Sequence, residues 1–89
     1  MPYKLFFTKD VQKQLRKMGK FQSALITRRL YQHIDGVDGP RKSGKGLTAN
    51  RSGLWRYRIG NYRVLVDIQD DKMIVLAIQV GHRKNIYHE

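Results

Sequence analysis

Four arginines in the second half of the chain, Arg56, Arg58, Arg63 and Arg83, are the side chains best suited to chemistry. A guanidinium stays charged at any physiological pH, and its planar fork holds two phosphate oxygens at once. Arg56 and Arg58 sit in Leu54-Trp55-Arg56-Tyr57-Arg58-Ile59, where polar and aromatic or branched residues alternate. In a strand that spacing puts both arginines on one face and Trp55, Tyr57 and Ile59 on the other. Gly60-Asn61 follows, a dipeptide suited to a tight hairpin, and then Tyr62-Arg63-Val64-Leu65-Val66. A two-residue turn places Arg58 directly opposite Arg63, and like charges so placed cost a few tenths of a kcal/mol or more. A sheet that tolerates this pair has an anion to meet. Cleavage of RNA by its own ribose 2′-OH needs a group that takes the hydroxyl proton, cations for the charge building on the phosphate, and a donor for the leaving 5′-oxygen. Arginine suits the second task, is a poor base for the first, and requires no metal. A plainer reading, a solvated basic face or a patch that only binds RNA or DNA backbone, is equally open at this point.

Composition narrows the partners. The 18 Lys+Arg against 7 Asp+Glu give a net charge of +11 and a pI near 10.4, a balance that attracts polyanions, nucleic acid first. At 89 residues the chain is expected to form a single domain over 1–89, too small for an internal substrate cavity, so function belongs on the surface or in a shallow groove. There is no cysteine, which agrees with a reducing compartment and removes thiolate chemistry. The three histidines and seven acids are scattered, so neither a metal site nor a cofactor is expected. No run of apolar residues is long enough for a membrane span, and Met1-Pro2-Tyr3-Lys4 opens into a strand-like segment rather than a signal peptide. The expectation is a cytoplasmic protein with no membrane partner.

The elements that must position the arginines follow from patterning. Tyr3 to Thr8 reads as a strand, with Thr8 as helix N-cap and Asp10 in the first turn. Val11, Leu15 and Met18 form an apolar stripe, and Gly19 stands where a helix commonly ends. A second helical pattern runs from Phe21 to Ile34, with Phe21 and Leu25 early and Ile26, Leu30 and Ile34 late. His33, beside that stripe at a helix C-terminus, reads as structural or capping. Asp35 to Gly53 reads as loop. Within it Gly39 to Gly46 imitates a phosphate-binding P-loop up to its last position, where Gly46 replaces the hydroxyl that would hold magnesium; no strand precedes it, so a nucleotide site is not expected. Its cations, Lys42, Lys45 and Arg51, and Lys84 near the C-terminus, are candidates for contact with an RNA backbone. After a polar turn at Asp70-Asp71, Met73 to Val80 reads as a central strand. Ile74, Leu76, Ile78 and Val80 are expected on its core face, with Val75, Ala77, Gln79, Gly81 and Arg83 on the other.

The order β-α-α-β-β-β predicts an α+β fold: two N-terminal helices packed on one face of a mainly antiparallel twisted sheet, with the opposite face open. This order, the Leu54–Ile59 and Tyr62–Val66 segments, and the ending Val80-Gly81-His82-Arg83-Lys84-Asn85-Ile86-Tyr87 together resemble a RelE-type toxin of type II toxin–antitoxin systems, in the RelE/ParE superfamily. The resemblance spans nearly the whole chain. It implies a ribosome-dependent mRNA endonuclease that enters the ribosomal A site, cuts the exposed codon and is held inactive by a cognate antitoxin, RelB-like or of another family. Carried over by position, it implies basic residues on the second strand at Arg56 and Arg58, a phosphate-binding arginine at Arg63, a leaving-group arginine at Arg83, and at Tyr87 a tyrosine that orients or stacks on the substrate.

The proton acceptor is the gap. Related toxins with lysines on the second strand can assign one as general base, whereas this chain offers only Arg56 and Arg58. Either an arginine acts electrostatically while the 2′-OH loses its proton to the ribosome or solvent, or a histidine substitutes; His82 and His88 are the candidates, since imidazole titrates near neutrality and related toxins use histidines late in the chain. His82, however, alternates away from Arg83 toward the core side if the strand persists that far. Two other functions compete: a ParE-like toxin that inhibits DNA gyrase, and a non-catalytic RNA-binding module.

Overall fold

The computed structural model describes residues 3–34, 39–48 and 53–82. Strand β1 (Lys4–Phe7) ends at Thr8, whose extended backbone and side-chain oxygen, accepting from the Val11 N–H at 3.2 Å, start helix α1 (Lys9–Lys17). Asp10 lies in the first turn and Arg16 and Lys17 in the last, each sign at the helix end that its dipole favours. Val11 and Leu15 are buried, and Met18 packs against them. Gly19, at φ +87, turns the chain into helix α2 (Lys20–His33). Ile26, Leu30 and Ile34, spaced four apart, are buried. Phe21 is not part of that stripe as the pattern suggested: it is 79% exposed. Five residues before Ile26, at about 100° per residue, it falls about 140° around the helix from the core line.

The remaining strands are β2 (Lys45–Gly46), β3 (Trp55–Ile59), β4 (Tyr62–Gln69) and β5 (Ile74–His82). They form one sheet in the order β1-β5-β4-β3-β2, with β1 parallel to β5 and the other neighbours antiparallel. The α+β architecture is as expected, with one addition: β2 is a short strand inside the segment read as loop, paired to β3 through Lys45–Arg56 and Gly46–Trp55.

The helices cover one face. Trp55, Tyr57 and Ile59 of β3, Val64 and Val66 of β4, and Val75 and Ala77 of β5 pack there with the α1 and α2 stripes. On β5 this reverses the expected assignment. Val75 and Ala77 are fully buried, whereas Ile74, Leu76 and Ile78 are only half-buried. Alternation could not decide between two apolar faces; pairing with β1 does, because Leu5 opposite Val75 and Phe7 opposite Ala77 are the inward residues of β1. Val80 is nonetheless in the core. Leu65 pairs with Gln79 and Val66 with Ala77, leaving Ile78 as the extra residue of a bulge that inverts the alternation beyond it. The Val80 N–H beside the bulge donates to Gln14 Oε1 at 3.0 Å and ties β5 to α1. The other face is not wholly open either, since Leu47 and Leu65 are buried there with Leu54 and Ile78 against them.

Residues 39–44 run as a strap beside β3. The Trp55 indole N–H donates to the Ser43 carbonyl at 2.8 Å, and the Tyr57 hydroxyl donates to the Pro40 carbonyl. Arg41 grips Asp70 with two bonds of 3.0 Å, and the Tyr3 hydroxyl donates to the same carboxylate at 2.5 Å. The Arg41 guanidinium, and then the Tyr3 hydroxyl, hold the Asp70 carboxyl below its usual range. Burial pushes the Tyr57 hydroxyl up to about 12. The segment that imitates a P-loop is thus held in place through the Pro40 and Ser43 carbonyls and the Arg41 side chain.

Candidate nucleic-acid interface

The hairpin Trp55–Gln69 forms as its residues require. Ile59 faces Tyr62 across a two-residue turn, and Gly60 takes φ +59, the sign that the first position of a tight primed turn demands. Arg58 therefore lies directly opposite Arg63, on the face away from the helices. On its other flank Arg63 pairs with Gly81 of β5, a ladder partner without a side chain of its own. Arg58 and Arg63, with Gly60, Asn61 and Tyr62, line a cleft of about 160 Å³ at the hairpin end. Two guanidinium groups converging on a shallow, water-exposed concavity raise the local potential for an anion and hold a phosphate better than either does alone.

Arg56, on the same face of β3, has a different environment. It stands between Lys45 and Leu65 in the next row of the ladder and is only 5% exposed. Its Cα lies about 6.7 Å from that of Arg58. A guanidinium taken from water is retained where other groups engage it, so Arg56 acts as a fixed cation within the sheet rather than a mobile arm. Arg56 and Arg58 line a second cleft, of about 240 Å³, with Tyr57, Ser43, Gly44 and His33. Arg58 is thus common to both clefts. The strap closes tightly on this one: Gly44 has φ +87, and a Cβ there would collide with the Arg56 carbonyl oxygen and the Trp55 indole nitrogen. His33, Ser43 and Gly44 lay outside the residues that the sequence singled out for the site. His33 is 23 residues from Arg56 in the chain, and no local pattern announces their approach.

His82 lies elsewhere. Beyond the bulge it faces the helices, packed edge-on against Tyr62 with ring centroids 5.6 Å apart, in a cleft shared with Gln14, Lys17 and Met18. The sheet separates it from the Arg58–Arg63 pair. Lys42 and Lys45 are exposed on the strap and β2. Arg51, Arg83, Lys84, Tyr87 and His88 lie outside the described residues. Among the described residues no helix is long and apolar enough to cross a membrane.

Comparison with known proteins agrees with this architecture. A family model for the ParE toxin of type II toxin–antitoxin systems matches residues 5–87. Toxin RelG of Mycobacterium tuberculosis is 30% identical over 87 residues, 98% of each chain. Among solved structures, the toxin–antitoxin complex RelBE2 from Mycobacterium tuberculosis superposes with a TM-score of 0.82 at 27% identity, covering 96% of this chain and 95% of that one. The intact E. coli RelBE complex shares the fold at a TM-score of 0.69 and 23% identity, over 90% of this chain and 95% of the other. With the two helices, the mixed five-stranded sheet and matches over almost its whole length, this chain belongs to the RelE/ParE superfamily of toxins of type II toxin–antitoxin systems.

Proposed function

We propose that this toxin is a ribosome-dependent mRNA endonuclease of the cytoplasm, cutting in the A site by attack of the ribose 2′-OH on the adjacent phosphate and so stopping translation. The observation that carries this reading is the Arg58–Arg63 opposition beside Gly81. A fold that needed only stability would separate these charges, whereas a trigonal bipyramidal phosphorane, more anionic than the diester it comes from, is stabilised by both. Arg63 and Arg58 grip the non-bridging oxygens, Arg56 adds a fixed positive field one row away, and Lys42 and Lys45 steer the RNA backbone by charge. Arg83 serves the leaving 5′-oxygen and Tyr87 stacks on a base, as the resemblance implies, with Arg51 and Lys84 adding backbone contacts. The partners are mRNA, the ribosome and a cognate antitoxin, which neutralises the toxin by covering part of the basic face.

In a purified translation system the toxin is expected to cut mRNA on stalled ribosomes and leave a 2′,3′-cyclic phosphate. The family model describes the ParE toxin, which makes gyrase poisoning the second reading. Intact mRNA on toxin-saturated ribosomes, with DNA supercoiling by gyrase blocked, would establish that reading instead.

A further inference from the structure

The nuclease reading leaves the 2′-OH proton without an acceptor, and the structure offers one that the sequence did not suggest. Arginine does not lose its proton. Tyr57 donates its own hydroxyl proton to the Pro40 carbonyl. His82 is on the helix side of the sheet with Tyr62. Asp67 shares a face with Arg63 but lies four residues along the same strand, about 13 Å away. His33 alone among the described imidazole and carboxylate groups lines a cleft with the arginines: it projects from the last turn of α2 into the cleft bounded by Arg56, Arg58, Ser43, Gly44 and Tyr57.

We propose that this cleft between the end of α2 and the edge of β3 seats the reacting ribose, and that His33 accepts the proton of its 2′-OH while Arg58 holds the scissile phosphate. The inference rests on the nuclease reading and names the residue that completes it. In the step, the 2′-oxygen gives its proton to the neutral imidazole and forms a bond to phosphorus. The bond from phosphorus to the 5′-oxygen breaks with its electron pair, and the leaving oxygen takes a proton from an acid or from water. A 2′,3′-cyclic phosphate and a 5′-hydroxyl result. The cleft's lining residues suit this task, because two arginines and a serine border it and no carboxylate is among them. The charged residues near His33 are Arg56 and Arg58 of β3, which line the same cleft, and Arg29, one turn back on its own helix.

Single-turnover cleavage of ribosome-bound mRNA, measured from pH 5.5 to 8.5 for wild type, His33→Gln and His33→Ala, tests this. His33 is exposed, so thermal unfolding should be unchanged in both variants. The expected result is a loss of about 100-fold or more in rate at pH 7.5, disappearance of the acid limb of the wild-type profile, and partial recovery of His33→Ala by added imidazole but not by equal ionic strength. A His33→Ala rate within threefold of wild type overturns the inference, as does a uniform slowing at every pH without imidazole rescue, since that marks a structural or electrostatic role. Wild type that leaves mRNA intact overturns the nuclease reading itself, and this inference with it.

Discussion

The two faces of the sheet use the same strands for opposite purposes. Against the helices, Val64, Val66, Val75 and Ala77 have no measurable exposure and belong to one cluster of apolar and aromatic side chains. On the other face a small cluster around Leu47 and Leu65 gives way, within two rows of the ladder, to Arg56, Arg58 and Arg63. The first face stabilises the fold by removing apolar area from water, at about 25 cal/mol per Å². The second brings like charges into adjacent positions, an arrangement that costs stability by itself and that an anion would offset. The lesson is that stability and function are separable here residue by residue, because alternation along a strand assigns neighbours to different faces.

Substitutions can test that separation. The largest stability effect is expected from Leu30→Ala, which empties a fully buried position on α2 and should cost about 2–5 kcal/mol in urea denaturation. Arg63→Ala should do the converse: a loss of about 100- to 1,000-fold in mRNA cleavage, the scale of removing one preorganised electrostatic contact, with stability unchanged or slightly raised. If Arg63→Ala unfolds the protein, the arginine pair is structural and the comparison fails. Tyr57→Phe bridges the two regions, since its ring is in the core and its hydroxyl holds the strap; a cost of about 1 kcal/mol is expected. The wild-type tyrosine also carries a pH signature. Its pKa, raised by burial to about 12, means that folding favours the protonated form. That stability is fully present below the unfolded value near 10 and is lost as pH rises through about 12, a decline that Tyr57→Phe should blunt. The smallest effect belongs to Phe21→Ala, at an exposed position, where unfolding should shift by no more than about 0.5 kcal/mol.

How much of this was legible in the sequence differs by element. The Thr8 cap, the Val11–Leu15 and Ile26–Leu30–Ile34 stripes and the Gly60–Asn61 hairpin each rest on local rules with one dominant physical cause, and all appear as expected. The Arg58–Arg63 opposition followed from the turn length alone. The faces of β5 were not legible, because a strand apolar on both sides leaves alternation nothing to choose between. The choice came from its parallel partner β1 and from a bulge at Ile78 that no residue type announces. The burial of Arg56 was hidden likewise, since it depends on β2 forming in a segment rich in glycine and lysine. The approach of His33 to the arginines is a tertiary fact, created where the end of α2 meets the strap.

The central claim is that the charged face is built to cut RNA. Its most direct measurement is a map of new 5′-hydroxyl RNA ends after brief induction of the wild-type toxin and of Arg63→Ala in growing cells. Cuts within translated codons, present for the wild type and absent for the folded variant, are the expected result. Growth arrest with no new RNA ends, equally strong in both proteins, would contradict the account.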